Sequence, residues 1–255
     1  MKPLILMYHR VAELRAAERY TVSPRQFARQ MRYLCDRHYN IITISALMDW
    51  FAGRSSVPNQ SVIITFDDGF LDTYEQTCPV LRDLGFHATF FIITGLIGKI
   101  NTWMTSRGEP SAALMGWREL ESLKQYGFEV GSHTVTHQDL SKINLDQARD
   151  EINGSKQALE GRLGEPVQFF SYPFGRYTTQ IRELVREAGY QAACATATGF
   201  VDPTEDSYEL RRIEVAGTDS MRTFADKLMF GTKRRGYTEL TSYYLRRIVA
   251  KTFGE

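Results

Sequence analysis

Val62-Ile63-Ile64-Thr65-Phe66-Asp67-Asp68-Gly69 decides how this 255-residue chain is read. The first five residues are apolar or β-branched, which suits a strand buried on both faces, as in a parallel sheet. The run then breaks into two carboxylates and a glycine. Adjacent carboxylates are costly to desolvate unless a cation or a proton resolves their repulsion. Neighbouring side chains point in different directions, so one can bind a metal while the other handles protons. Asp-Asp-Gly is also ordinary turn chemistry, and this stretch alone leaves both readings open.

The same strand-then-turn pattern recurs in both directions. Leu4-Ile5-Leu6-Met7 reads as a buried strand, and further strands are predicted at 88–93, 128–130 and 169–170, with weaker ones near 191–195 and 211–215. Helices are predicted between them. Ser23-Pro24-Arg25-Gln26 opens the first, with Ser as N-cap and Pro at the first helical position, and Phe27, Met31 and Leu34 fall on one face. Others are predicted near 72–84, 117–126, 145–162 (ending at Gly164), 178–188 (ending at Gly189) and 220–229. Alternating strands and helices imply an α/β fold with a parallel sheet. Six or seven such units in one domain suggest a barrel, complete or not, with a doubly wound open sheet as the alternative. Both folds place ligands at the carboxyl ends of the strands. We expect one domain over 1–230 and a basic helical tail over 231–255.

Composition narrows the class. A formal net charge of +1 argues against a partner bound chiefly through phosphate contacts, so nucleic acid is not expected. No apolar run approaches the roughly 18–20 residues that span a bilayer. The run at 4–7 is too short for a signal-peptide core, and a cytoplasmic location is expected. Cys35, Cys78 and Cys194 lie far apart with no CxxC pair, so they are read as buried reduced thiols.

Two more strand ends carry candidate chemistry. After 128–130 comes Gly131-Ser132-His133-Thr134-Val135-Thr136-His137. Histidines four apart fall on one side in a helix or an extended segment, so they can share a metal. Neutral imidazoles suit zinc and other borderline metals, and with Asp68 they make a set with open positions. After 169–170 comes Ser171-Tyr172-Pro173-Phe174-Gly175, a turn able to present a backbone N–H to a cleft.

Taken in order, the three segments resemble the polysaccharide deacetylases, the NodB-homology domain of carbohydrate esterase family 4. The family's Thr-Phe-Asp-Asp-Gly is matched without change at 65–69, and its His-Ser/Thr-x-x-His at 133–137. Its Arg-x-Pro-Tyr/Phe is matched at 171–174 except for the first residue, which is Ser171. The resemblance covers roughly residues 60–200 and implies a distorted (β/α) barrel of about seven strands, in agreement with the strand–helix count. It also implies roles. Asp67 is the expected general base. Asp68, His133 and His137 are the expected ligands of one divalent metal, with Zn2+ first and Ni2+, Co2+ or Mn2+ also fitting two His and one Asp. Phe174 is expected to offer its N–H to an oxyanion, with Tyr172 and Pro173 beside the substrate.

Two departures matter. The family's arginine that orients the catalytic Asp is absent, and Arg212 is the expected substitute. The late Leu-x-His carrying the general acid is also missing, since no histidine follows His137. His9 closes the first predicted strand. That start resembles a subgroup of exopolysaccharide and poly-N-acetylglucosamine deacetylases with circularly permuted strand order, and it makes His9 the expected acid. His38 and His87 are read as structural and Trp117 as core. Trp103, in a polar loop, is a candidate for stacking on a sugar. The expected substrate is an N-acetylhexosamine unit in a glycan or in a lipid- or nucleotide-linked precursor. The basic residues of 231–255 interleave with Tyr243, Tyr244, Ile248 and Val249 and suit peripheral membrane contact or a helix packed on the barrel. Two alternatives stay open: an amidohydrolase acting on a small cyclic amide or formamide, and a silent carbohydrate-binding relative.

Overall fold

The computed structural model describes residues 2–13, 18–101 and 111–232. Eight strands form one parallel sheet: β1 (Leu4–Tyr8), β2 (Asn40–Ile41), β3 (Ser61–Phe66), β4 (Thr89–Ile92), β5 (Glu129–Ser132), β6 (Phe169–Ser171), β7 (Ala192–Cys194) and β8 (Ile213–Glu214). The spatial order is β7-β6-β5-β4-β3-β1-β8. Strand β1 lies between β3 and the edge strand β8, with Leu4 to Tyr8 in register against Val62 to Phe66.

One late segment joins the two edges. Leu210 donates to Ala193 O and accepts from Ala195 N, both at 2.9 Å. Three residues on, Ile213 and Glu214 pair with Leu6 and Met7 of β1. This is the closure of a distorted barrel, and the strand count agrees with the sequence expectation.

Alternation along the strands separates the two faces. Leu4, Leu6, Tyr8, Val62, Ile64, Phe66, Phe90, Ile92 and Phe170 face the helices. There the rings of Phe66 and Phe90 stack at 4.7 Å. Ile5, Ile63, Phe91, Phe169, Ala192 and Cys194 face inward. Gly131 of β5 also faces in, because a Cβ there would lie 2.5 Å from the Phe91 ring and 2.9 Å from Phe169 O. The lower mouth is plugged by helix α2 (Ile44–Phe51), whose Ile44, Leu47 and Met48 join the inner cluster. Glu129 holds this plug in place, accepting the N–H groups of Ile44 and Ser45 at 3.0 Å.

The expected helices are all present: α1 (Pro24–Asp36), α3 (Leu71–Asp83), α4 (Trp117–Gln125), α5 (Leu145–Leu163), α6 (Thr179–Glu187) and α7 (Met221–Phe230). Ser23 caps α1 as read, accepting from Gln26 N at 3.2 Å, and Phe27, Met31 and Leu34 are buried. Gly164 ends α5 in the left-handed region, at φ 71°.

Three readings change. Helix α2 and strand β2 have no counterpart in the sequence expectation, because a two-residue strand and a short plug leave little periodicity. Cys35 is exposed, not buried, since it lies one step past the buried Leu34 on the solvent side of α1. Histidines 133 and 137 lie in neither a helix nor an extended segment, because Thr134 and His137 both adopt positive φ. His38 and His87, read as structural, are exposed and lie apart from the cleft described below, and Trp117 is half-buried against the core. Trp103 and the tail from 233 onward lie outside the described residues. Among the described residues no helix is long and apolar enough to cross a membrane.

Candidate active site

The carboxyl ends of the strands open into a cleft of about 330 Å3, lined among others by His9, Asp67, Asp68, His133, His137, Tyr172 and Phe174. The structure thus brings together residues drawn from β1 and from the turns after β3, β5 and β6.

Asp67 continues β3 by one residue, its N–H donating to Tyr8 O at 2.9 Å, and its side chain turns into the barrel. There it meets Arg212. The guanidinium donates to Asp67 Oδ1 through Nη1 at 2.7 Å and to Oδ2 through Nη2 at 2.8 Å. Its remaining donors reach Thr65 Oγ1 (3.3 Å), Ser171 Oγ (2.9 Å) and Ala195 O (3.0 Å). An arginine has five N–H donors, and all of them are used. Arg212 is only 1% exposed and Asp67 3%. Burial disfavours the charge on Asp67, but the Arg212 charge and fork, together with His133, outweigh it and hold the carboxyl well below its usual range. Arg212, the residue expected to orient Asp67, is thus in direct contact with it. Ser171, read from sequence only as a loss, makes room for it: its hydroxyl accepts from Arg212, and its carbonyl accepts from His133.

Asp68 turns the opposite way, at φ 73°. Its Oδ1 lies 3.5 Å from His133 Nε2 and 3.4 Å from His137 Nε2. The ligand atoms of the three residues lie within 4.8 Å of one another. His133 Nδ1 sits 2.7 Å from Ser171 O, a carbonyl that can only accept, so the proton is on Nδ1 and the Nε2 lone pair faces Asp68. Burial, set against the pull of Asp67, lowers the His133 pKa to about 4, so the ring is neutral at neutral pH. Two imidazole nitrogens and a carboxylate oxygen converging on one point fit a divalent borderline metal.

His9 follows β1 and packs edge-on against Tyr20, with ring centroids 5.1 Å apart. Its Nδ1 is buried and meets no hydrogen-bonding group among the described residues. Phe174 is held at φ 59°, inside a short turn begun by Pro173. Its ring is 46% exposed and lies 4.8 Å from the His137 ring. No described group accepts its N–H. Tyr172 borders the cleft, but its hydroxyl donates to Tyr208 O at 3.2 Å. Pro173 is buried and shapes the turn without lining the cleft. Sequence reading did not single out Tyr20, Phe70, Arg10, Arg19 or Arg176, which also line the cleft. They come from short irregular segments with no motif to mark them.

Comparisons with known proteins agree with this architecture. YxkH of Bacillus subtilis (strain 168), whose name places it with the polysaccharide deacetylases, is 27% identical over 212 residues, covering 83% of this chain and 71% of its own. A poly-β-1,6-N-acetyl-D-glucosamine N-deacetylase of Staphylococcus aureus (strain MRSA252) is 25% identical over 235 residues, covering 84% and 78%. Among solved structures, the Streptococcus pyogenes deacetylase PplD, in complex with acetate, superposes with a TM-score of 0.78 at 26% identity, over 89% of this chain and 98% of its own. IcaB from Ammonifex degensii gives a TM-score of 0.76 at 25% identity, over 89% and 95%. Residues 54–193, more than half of the chain, match the profile of the polysaccharide deacetylases, and the chain belongs to that family of carbohydrate deacetylases.

Proposed function

We propose that this protein is a metal-dependent hydrolase that removes N-acetyl groups from N-acetylhexosamine units of a glycan or glycan precursor. The observation that carries the proposal is the pairing of two differently held carboxylates. Asp67 is clasped by Arg212, while its neighbour Asp68 faces the Nε2 atoms of two histidines.

In this reading Asp68, His133 and His137 hold one divalent ion, zinc being the first candidate for an N2O donor set. When bound, such an ion supplies Lewis acidity to water and to the acetamide oxygen. The protein does the rest. Arg212 keeps Asp67 ionised, so it stands ready to take the proton of the attacking water. The Phe174 N–H donates to the oxygen of the acetyl carbonyl as charge gathers there. His9 delivers a proton to the leaving amine. Aromatic side chains at Tyr20 and Phe174 in the cleft wall offer platforms for sugar rings, which favours a glycan over a small cyclic amide. The poly-N-acetylglucosamine deacetylase of Staphylococcus aureus among the relatives supports the same class. A general base clamped in place is also what a silent binder would have no use for.

The test is acetate release from N-acetylglucosamine oligosaccharides, with chelator and with zinc restored, for the wild type and Asp67→Asn. Zinc-restored release that D67N lacks, while D67N still binds metal, supports the reading. Near-normal turnover by D67N removes Asp67 from the role of base.

A further inference from the structure

We propose that Glu151, on helix α5, is a positioning residue for the metal site: it holds the loop that carries His137 in its ligating form before any ion arrives. The inference rests on the metal reading above and concerns a residue that touches neither the ligand histidines nor the cleft.

The loop from His133 to His137 is a poor conformation for its sequence. Thr134 sits at φ 68° and His137 at φ 63°, and neither is glycine. A left-handed backbone is sterically unfavourable for a residue with a Cβ. The loop therefore needs outside support. Glu151 Oε2 accepts the N–H groups of Val135 and Thr136, both at 2.8 Å, and Oε1 accepts the Thr136 hydroxyl at 2.5 Å. On the other side, Thr94 N–H donates to Thr134 O at 3.1 Å and Gly95 N–H to Val135 O at 2.8 Å. Gly95 is required there, since a Cβ would lie 2.6 Å from that carbonyl. His137 N–H closes the turn onto Thr134 Oγ1 at 3.0 Å. Successive N–H groups curled around one carboxylate form an anion nest, here filled by a side chain of the same protein.

The placement of Glu151 is otherwise hard to account for. It is 8% exposed and shares the inward stripe of α5 with Ala148, Ile152, Ser155 and Leu159. Only a carboxylate fully engaged by donors belongs there. His133 is fixed twice, through its own N–H to Ile92 O and through its ring to Ser171 O. The placement of His137 depends on the backbone that Glu151 clamps.

The experiment measures zinc affinity of the full chain by competition with a chromophoric chelator, and records the absorption spectrum of the cobalt-substituted protein. It compares the wild type with Glu151→Ala, Glu151→Gln, His137→Ala and Glu129→Gln. Loss of a group supporting a ligand weakens metal binding about 10–100-fold. E151A should show that loss with an altered cobalt spectrum, and E151Q, which keeps one acceptor oxygen, a smaller one. E129Q is the control, because Glu129 makes a similar carboxylate clamp on helix α2 at the opposite mouth. It should lower the melting temperature and leave affinity and spectrum unchanged. If E151A binds zinc as the wild type does, with the same cobalt spectrum, the proposal is wrong. Should E151A not fold, the same result from E151Q overturns it. If H137A binds zinc as tightly as the wild type, the metal reading itself has failed, an outcome distinct from the failure of Glu151 alone.

Discussion

Replacing Arg212 by methionine removes a buried cation and leaves a buried anion. The wild-type guanidinium spends every donor inside the barrel, two of them on Asp67 at 2.7 and 2.8 Å. Methionine fills much of the volume but satisfies none of the five acceptor contacts. Stripping one partner from a buried pair costs about 3–5 kcal/mol. The charge imbalance dominates that cost, so removing both charges should recover much of it. R212M/D67N is therefore expected to be more stable than R212M. The coupling should be about 2 kcal/mol, within the span measured for residues in direct contact. The assay is guanidinium unfolding with chelator present, as a four-member cycle of wild type, R212M, D67N and the double variant. Costs that add to within about 0.5 kcal/mol would mean that the fork contributes nothing specific, and the account of Arg212 would be refuted. A second readout concerns pH. The cation holds the Asp67 pKa down, so its removal raises that pKa, and the acid limb of kcat/KM moves to higher pH. Lysine at 212 keeps the charge but not the planar fork, and should fall between the two.

Other perturbations are as direct. His9→Ala should lower kcat by about 10²–10⁴-fold, the usual contribution of a proton donor, while KM changes little; an unchanged kcat rules out His9 as the acid. Metal-free protein should lose stability as pH falls. His133 titrates at about 4 when folded and at 6.5 when free, so over that interval the unfolded chain binds the proton first. At about 1.36 kcal/mol per pH unit the loss comes to about 3 kcal/mol by pH 4. The Asp67 contribution survives this window, because a carboxylate with a depressed pKa loses its advantage only below the ordinary carboxylate range. Chelator-treated His133→Gln should show a flatter profile, and a slope equal to that of the wild type would contradict the assignment. Gly131→Ala should cost about 1–3 kcal/mol from overpacking against Phe91 and Phe169, measured by denaturation; a neutral result would mean that the inner layer has slack.

Much of this was legible in the sequence, for definable reasons. Long buried strands such as Ser61–Phe66 are continuous apolar runs, and their ends carry Asp67, Asp68 and His133 in local motifs. Arg212 was reachable because the loss of one cation at Ser171 implied another. The geometry that makes the histidines converge was not legible. Positive φ at Thr134 and His137 is imposed by groups distant in sequence, and periodicity arguments cover only regular elements. Glu151 did leave a trace: a carboxylate in the apolar stripe of helix 145–163 is an anomaly that asks for a donor. Helix Ile44–Phe51 left less, because a plug answers to the barrel it fills rather than to a pattern of its own.

The closure of the barrel at Leu210 to Glu214 has a consequence for how the protein matures. Asp67 and Arg212 are 145 residues apart, and Arg212 rides on the segment that stitches the two sheet edges together. During synthesis the carboxylate exists long before its counter-ion, and contacts this distant in sequence form late. Until the seam shuts, the inner chamber holds an unmatched negative charge and resists drying out. In the reading proposed above, catalytic competence and completion of the fold then become a single event.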